Sequence, residues 1–241
     1  MIDNPLDDFV KAYQGDIQYD FDNEILLNWY PKRILAQTPT TNSVLELGLG
    51  HGHTTNIFSA YYQDYTVLDG SKAVIENFKK KHPDCNAKII ETYFESFQTE
   101  TKFDIIVMGF ILEHVEDPIG ILRHYKPFLK DDGKMFIAVP NAEVMNRRLG
   151  YLAGLLPEMQ LLSENDNVLG HKRYYTIDEL KYHIQLAGYE ILKIEGIYLK
   201  PLTSNQMISL KLDRKILDAL CLLGVYYPEL SCGILAEIAV R

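Results

Sequence analysis

Short apolar runs alternate with amphipathic segments through most of this 241-residue chain, and this alternation limits the possible folds more than any other feature. The run "FDIIVMG" is continuous in Ile and Val, which is typical of a strand buried on both faces. Strands that alternate with helices form mostly parallel sheets covered by helices on both sides. The sequence therefore predicts an α/β fold with a doubly wound, mostly parallel sheet, whose strands lie at 43–47, 64–69, 86–91, 103–109, 134–140, 189–197 and 233–241.

Polar residues mark where several helices and one turn begin. Thr176 and Glu179 form the capping-box pattern, in which each side chain bonds the backbone N–H of the other residue. Helix N-caps are also predicted at Ser71 and at Asp117, which a proline follows. The tripeptide "DDG" predicts a turn at 131–133.

Three segments lie outside the alternation. Residues 1–42 are predicted to be helical. Residues 141–175 interrupt the pattern after the fifth strand, and residues 198–230 separate the last two strands. A chain of this length can bury one full core, and no linker-like composition separates its parts. We therefore expect a single domain over 1–241, in which residues 1–42 form an N-terminal helical segment and residues 141–175 and 198–230 form a helical cap.

Composition excludes several classes of function. The formal net charge of −9 disfavours nucleic-acid binding, because that requires a basic face. No run reaches the roughly 18 to 20 apolar residues of a membrane span, and the first residues do not resemble a secretion signal. An odd number of cysteines without CxxC spacing is typical of thiols in a reducing compartment. We expect a cytoplasmic protein with free thiols at Cys85, Cys221 and Cys232.

A glycine-rich string, "VLELGLGHGHTT", ends the first predicted strand. Gly48, Gly50 and Gly52 allow the backbone to turn sharply and to approach a ligand closely. Glu46, just before the loop, would repel a pyrophosphate but suits a cationic ligand group. Asp69 ends the second strand about 20 residues later, where an acidic residue can bond ribose hydroxyls. Because ligands bind at the carboxyl ends of the strands in open α/β sheets, this loop is the predicted ligand site.

His51 and His53 flank a glycine in the same loop and raise the question of a metal site. No Cys or carboxylate stands at a helpful local spacing, and the sequence has no HEXXH motif. The sequence therefore predicts no metal site, and these histidines are expected at the edge of the ligand loop.

The strings "VLELGLGHG", "VLDGS" and "FDIIVMGFILEHVEDP" resemble class I S-adenosylmethionine-dependent methyltransferases, and the last string is similar to that of quinone-biosynthesis and related small-molecule enzymes. The resemblance covers about residues 40–141 and returns in the last strand. It implies a seven-stranded Rossmann-like sheet whose last strand is antiparallel. It also implies that the chain binds S-adenosyl-L-methionine and releases S-adenosyl-L-homocysteine.

The resemblance assigns roles to individual residues. Glu46, Gly48 and Gly50 match the motif around the methionine and ribose parts of the cofactor, and Asp69 matches the acid that bonds both ribose hydroxyls. The other positions implied to contact the cofactor are Gly70 and Ser71 near the adenine, and Met108 and Gly109 under the sulfonium.

One stretch departs from the family pattern. The family usually has an Asp followed by a small residue after the third strand, whereas this chain has Tyr93 and Phe94 in "ETYFES". We expect these two residues to contact the adenine by stacking or through the backbone, with Glu95 as a second candidate.

The string "LEHV" implies that Glu113 and His114 lie near the floor of the acceptor site. His114 and His171 are the candidate catalytic bases, although His114 could instead tie its loop to the backbone. A general base is needed only when the acceptor is protonated at neutral pH. The resemblance also implies an N-terminal segment that closes over the cofactor, with Tyr13, Tyr19 and Tyr30 as candidates.

Basic residues gather in the predicted cap. Arg147, His171, Arg173 and Lys200 could converge on an anion, and Tyr174 could donate a further hydrogen bond. The strings "VPNAEVMNRRLG", "LLSENDNVLGHKRYY" and "LKPLTSNQM" resemble a bacterial methyltransferase subgroup, some of whose members modify surface polysaccharides and capsular phosphoramidates. The expected acceptor is a small metabolite or activated sugar that carries phosphate, phosphoramidate or carboxylate, methylated at oxygen or nitrogen.

Alternatives remain open at this point. The chain could be a non-catalytic module that binds S-adenosylmethionine, or it could methylate a neutral molecule such as a quinone precursor. A nicotinamide-dependent oxidoreductase is disfavoured by Glu46 and by the G-x-G-x-G spacing. A nucleic-acid methyltransferase is disfavoured by the charge and by the absence of a (D/N)PP(Y/F) motif. The chain could be a monomer or a homodimer, with the apolar stretch 216–227 as core or as dimer face.

Overall fold

The computed structural model describes residue 4, residues 6–7 and residues 20–241, with only the backbone of residue 165. Tyr13 and Tyr19 lie outside the described residues. The strands are β1 (Ser43–Leu47), β2 (Asp64–Asp69), β3 (Lys88–Glu91), β4 (Phe103–Gly109), β5 (Leu129–Pro140), β6 (Tyr189–Leu199) and β7 (Ser231–Val240).

These strands form one sheet in the order β3-β2-β1-β4-β5-β7-β6. Strands β1 to β5 pair in parallel, whereas β7 is antiparallel to both of its neighbours. The prediction of a seven-stranded, mostly parallel sheet with an antiparallel last strand is confirmed.

The helices surround the sheet and connect its strands. The predicted N-caps are confirmed, because the side chains of Ser71, Asp117 and Thr176 each accept a backbone N–H in the first turn of the helix that follows. The helices are α1 (Asp20–Leu35), α2 (His53–Tyr61), α3 (Lys72–Lys81), α4 (Pro118–Tyr125), α5 (Met145–Leu152), α6 (Glu164–Val168), α7 (Ile177–Leu186), α8 (Ser204–Ser209) and α9 (Arg214–Tyr226).

The turn predicted at 131–133 falls within the range of β5. Strand β5 runs through these residues, and its register against β4 shifts between the pairs Phe103–Leu129 and Ile105–Lys134. The extra residues form a bulge within the strand, so the chain bends without leaving the sheet. A tripeptide rich in Asp and Gly suits such a bulge as well as it suits a turn.

Two apolar layers enclose the sheet. Ile106 and Met108 of β4 point into a cluster covered by α4 and α7. Ile105 and Val107 alternate with them and point into a cluster covered by α1, α2, α3 and α9. None of the helices in the described ranges is long and apolar enough to cross a membrane. Cys85, Cys221 and Cys232 are free thiols.

The carboxyl ends of six strands meet at one edge of the sheet. Strands β5 and β6 are both antiparallel to β7, so β6 runs in the same direction as β1 to β5. The segment 141–175 contains α5 and α6, and the segment 198–230 contains α8 and α9. Both segments leave from this edge, where residues of α1, α5 and α8 take part in one cavity.

Candidate active site

A cavity of about 630 Å³ extends along the carboxyl edge of the sheet, from the glycine loop to the cap. It brings together predicted cofactor residues and predicted acceptor residues. The predicted site residues that line it are Gly48, Gly50, Asp69, Gly70, Ser71, Phe94, Gly109, Glu113, His114, Arg147, His171, Tyr174 and Lys200. Glu46, Tyr93, Met108 and Arg173 are not part of its lining.

The loop between β1 and α2 forms one end of the cavity. Gly48 has a φ of +84°, which side chains rarely tolerate, and a Cβ atom there would lie 2.7 Å from Cδ1 of Ile111. His51 and His53 lie on the cavity wall with ring centroids 6.1 Å apart, and His51 contacts the side chain of Asn23. Burial lowers the pKa of His51 to about 4, so this ring is neutral at physiological pH.

Asp69 is held in place by the backbone on both sides of the cavity end. The N–H groups of Leu49 and Ser71 donate to its two carboxylate oxygens at 2.9 Å and 2.8 Å. Burial raises the pKa of this carboxyl group, and the two hydrogen bonds oppose that effect. Each oxygen keeps a further lone pair, so the carboxylate can accept two ligand hydroxyls.

Residues at the N-terminus lie over the loop that follows β2. The side chain of Asn4 donates to the carbonyl of Gly70 at 2.7 Å, and Leu6 lines the cavity. Tyr93 lies outside the cavity lining, and its hydroxyl donates to the side-chain oxygen of Asn4. Phe94 does line the cavity, 3.8 Å from the position of a Gly48 Cβ atom.

Glu46 lies beneath the glycine loop and outside the cavity wall. Its carboxylate accepts hydrogen bonds from Thr55 at 2.6 Å and from the hydroxyl of Tyr65. Burial raises the pKa of Glu46 to about 7. Glu46 therefore ties α2 and β2 to the base of the loop, and Met108, which is fully buried in β4, also lies behind the wall.

The end of β4 turns abruptly into the cavity. Phe110 has a φ of 58°, an uncommon conformation for a bulky residue, and its N–H donates to the carbonyl of Ala138 at 2.8 Å. Tyr30 of α1 packs against Gly109, where no side chain larger than glycine would fit, and its ring meets that of Phe110 edge to face. Backbone strain of this kind concentrates at functional sites.

A carboxylate–imidazole–carboxylate row lies on the cap side of the cavity. Nδ1 of His171 lies 3.1 Å from Oδ1 of Asp166, and Glu113 contributes an oxygen within 4.8 Å of a His171 ring nitrogen. Burial opposes a charge on His171, but the Asp166 contact and the negative charge of Glu113 outweigh it and raise the pKa of His171. Burial raises the pKa of Glu113 to about 7, and its two oxygens have no hydrogen-bond partner among the described residues.

His114 has a different environment from His171. Its ring lies beside the backbone of Leu169 and Gly170 and edge-on to His171, with 4.7 Å between the ring centroids. Burial and the neighbouring His171 lower the pKa of His114 to about 3. These contacts favour the second interpretation of His114, in which it ties its loop to the cap.

The same three residues have a spacing compatible with metal ligation. One potential ligand atom each from Glu113, His114 and His171 lies within 4.8 Å of the others. The backbone contacts of His114 compete with such a role, because they engage the ring that would have to bind the ion. Sequence reasoning predicted no metal site, and this cluster is where that prediction can be tested.

The cations of the predicted anion site already have contacts among the described residues. The guanidinium of Arg147 donates to the carbonyls of Met159 and Leu161 at 2.8 Å and 2.6 Å, and it stacks over the ring of Tyr174. Arg173 lies outside the cavity lining, with contacts of 3.3–3.4 Å to two backbone carbonyls.

Lys200, the third expected cation, is buried in an ion pair. Its ammonium group lies 2.5 Å from Oδ2 of Asp22 and 2.9 Å from Oγ of Ser204. Arg147, His171 and Lys200 line the same cavity and Arg173 does not, so the expected convergence of four cationic residues is incomplete.

Sequence reasoning missed Asp166, Asp22 and Asn146. The backbone N–H of His171 donates to the carbonyl of Asp166 at 2.9 Å. The resulting turn brings the side chains of Asp166 and His171 together. Asp22 lines the cavity because α1 packs against it. No local sequence signal distinguishes these residues from ordinary surface acids and amides.

The chain was compared with protein families and with known proteins. A family described as "Methyltransferase domain" matches residues 20–194. The ubiquinone biosynthesis O-methyltransferase of Haemophilus ducreyi is 26% identical over 177 residues, which cover 71% of this chain and 62% of that protein. That of Pseudomonas putida is 24% identical over 195 residues, which cover 79% of this chain and 82% of that protein. The matched part of this chain thus spans less than two-thirds of the Haemophilus protein.

Solved structures agree with the fold. A possible histamine N-methyltransferase from Thermotoga maritima has a TM-score of 0.62 at 14% identity, covering 98% of both chains. The N-methyltransferase NodS from Bradyrhizobium japonicum, solved with S-adenosylhomocysteine, has a TM-score of 0.60 at 14% identity, also covering 98% of both chains. The glycine cradle and the doubly anchored Asp69 suit the ribose and methionine parts of that cofactor. The chain belongs to the class I S-adenosylmethionine-dependent methyltransferase family.

Proposed function

We propose that this chain transfers a methyl group from S-adenosylmethionine to a hydroxyl oxygen of a small molecule. The observation that carries the proposal is the continuity of the cavity, which joins Asp69 and the glycine loop to His171 and Glu113. The name of the distant relatives, ubiquinone biosynthesis O-methyltransferase, supports oxygen as the acceptor atom.

The residues around Gly109 would align the two reactants. Bound S-adenosylmethionine supplies a methyl carbon made electrophilic by its sulfonium, so the protein has mainly to hold the acceptor oxygen in line with it and exclude water. Gly109, Tyr30 and Phe110 form a closely packed wall at the end of β4. This wall fixes how deeply both ligands can enter.

His171 is proposed as the general base for an alcohol acceptor. The proton of the acceptor hydroxyl would pass to His171 as the oxygen bonds the methyl carbon. Asp166 stabilises the resulting imidazolium from the opposite side, since it already lies 3.1 Å from Nδ1. Glu113 adds a second negative group beside the same ring.

An anionic acceptor has less support than the sequence suggested. Lys200 pairs with Asp22, and releasing this cation would leave a buried carboxylate without its partner. Two nitrogens of Arg147 donate to the carbonyls of Met159 and Leu161, so a phosphate, phosphoramidate or carboxylate acceptor, and a role in polysaccharide modification, would depend on the remaining N–H donors of this guanidinium.

Methyl transfer can be tested with isotope-labelled S-adenosylmethionine and a panel of phenols, sugars and sugar phosphates. We expect labelled products from hydroxylated members of the panel and loss of transfer in His171→Phe, with cofactor binding retained. His183→Phe, on α7 and outside the cavity lining, is the matched control. Binding of the cofactor without transfer to any acceptor would instead favour a non-catalytic binding module.

Metal dependence is checked in the same assay. We expect transfer to persist after dialysis against EDTA, because the ring of His114 is engaged by the backbone. Loss of transfer that is restored by a divalent cation would show that Glu113, His114 and His171 bind a metal ion.

A further inference from the structure

A polar cluster lies in the cavity wall where the end of β6, the edge strand on the far side of the sheet from β2, meets α1, α5 and α8. Asp22 of α1, Asn146 of α5, Lys200 after β6 and Ser204 of α8 all line the cavity. The cluster is held together internally, because Oγ of Ser204 donates to Asp22 at 2.5 Å and the N–H of Asn146 donates to the carbonyl of Lys200 at 3.2 Å. We name these four residues the distal cluster.

The charge of the distal cluster is balanced. Asp22 and Lys200 are 3% and 6% exposed and form an ion pair at 2.5 Å. A buried pair of this kind is stable only while both partners remain. A charged ligand would add a charge that this pair does not compensate, so a neutral ligand fits this end of the cavity.

Two oxygen atoms of the distal cluster lack partners. Oδ1 of Asp22 and Oδ1 of Asn146 are buried and accept no hydrogen bond from any described residue. Both belong to residues of the cavity wall. Buried acceptors without donors are rare in folded proteins, and they indicate a donor that binds from outside the chain.

We propose that the distal cluster binds a hydroxyl group of the acceptor other than the one that is methylated. The inference rests on the proposed function and narrows its substrate class to neutral molecules with at least two hydroxyl groups. One hydroxyl would face His171, and the other would donate to Asn146 or Asp22. Apolar walls formed by Leu26, Leu27 and Phe110 lie beside the cluster and suit the carbon skeleton between the two hydroxyls.

Binding to the full chain saturated with S-adenosylhomocysteine tests this inference without turnover. The probes are methyl glucopyranoside, its monodeoxy analogues and glucose 1-phosphate, titrated in a calorimeter. We expect the neutral glycoside to bind more tightly than the phosphate. At least one deoxy analogue should bind about tenfold more weakly than the parent glycoside. The hydroxyl that it lacks would otherwise donate to a buried acceptor, which is then left unpaired.

Asn146→Leu is the informative variant, because it removes an unpartnered oxygen and leaves the Asp22–Lys200 pair intact. We expect this substitution to lower the affinity for the neutral glycoside by about three- to tenfold. In the variant, removing the hydroxyl that the deoxy series identifies should no longer change the affinity. The affinity for S-adenosylhomocysteine should not change. Asn86→Leu, the same substitution at an exposed position, is the control. Asp22→Asn is a second variant. Its glycoside affinity is interpreted only if cooperative thermal unfolding shows that the variant is folded.

The outcomes separate the two proposals. Tighter binding of the phosphate, unchanged glycoside binding in Asn146→Leu, or no glycoside binding at all would overturn the distal-cluster inference while S-adenosylhomocysteine still binds. Failure to bind S-adenosylhomocysteine would overturn the proposed function itself.

Discussion

At the scale of single residues, the site uses buried carboxylates whose surroundings give them different protonation behaviour. Hydrogen bonds from Ser163 and Tyr174, together with the close contact of His171, outweigh burial and hold the pKa of Asp166 well below its usual range. Glu113, without such bonds, has its pKa raised by burial to about 7. Asp166 is therefore a permanent anion beside His171, whereas the charge of Glu113 changes near neutral pH.

The pH dependence of turnover should report on His171. Only its neutral form can take a proton, and its pKa is raised above 6.5, so kcat should increase with pH through an inflection above 6.5 and then level off. In Asp166→Asn a negative charge that raises this pKa is removed, and the inflection should move to lower pH. A pH-independent kcat in the wild type would rule out this proton acceptor.

Replacing His171 should affect the chemistry more than binding. We expect His171→Gln to lower kcat by about a hundredfold or more, since a positioned general base contributes on that order. The dissociation constant of S-adenosylhomocysteine should remain within about twofold. A variant that loses cofactor binding to the same extent as turnover would indicate a structural role for His171.

At the scale of elements, the glycine loop depends on conformation as well as on space. Gly48→Ala should both strain the loop and bring a methyl group against Ile111, and we expect a large loss of affinity for S-adenosylmethionine. Gly154→Ala is a matched control, because Gly154 also has a positive φ, of 72°, but has no atom within 4 Å of an added Cβ. The control should lose about 1–2 kcal/mol of stability from backbone strain and keep its affinity. Equal affinities in the two variants would contradict a close approach of the ligand at Gly48.

The capping box of α7 should contribute to stability and not to chemistry. In Thr176→Ala the N–H of Glu179 loses its acceptor, and the free energy of unfolding should fall by about 1 kcal/mol in urea titrations. Thr176→Ser keeps the hydroxyl and should be close to the wild type. An unchanged midpoint in the alanine variant would mean that water replaces the cap without loss.

At the scale of the whole molecule, the sheet and the cofactor end could be predicted from local patterns, and the acceptor end could not. Periodicity indicates strands such as β4, and a glycine loop followed by Asp69 is a contiguous signal. The partners of Arg147, Lys200 and His171 arise only when α1, α5 and α6 pack at the carboxyl edge. Sequence reasoning therefore counted cations that could bind an anion but could not detect that carbonyls and Asp22 already engage them.

The most direct test of the central claim is calorimetric titration of the full chain with S-adenosylmethionine, beside an Asp69→Ala variant. We expect micromolar binding by the wild type and binding weaker by about a hundredfold in the variant, because a carboxylate that accepts two ribose hydroxyls is lost. Asp132→Ala, an exposed position, should match the wild type. Folded, ligand-free protein that does not bind S-adenosylmethionine, or that binds it equally without Asp69, would contradict the claim.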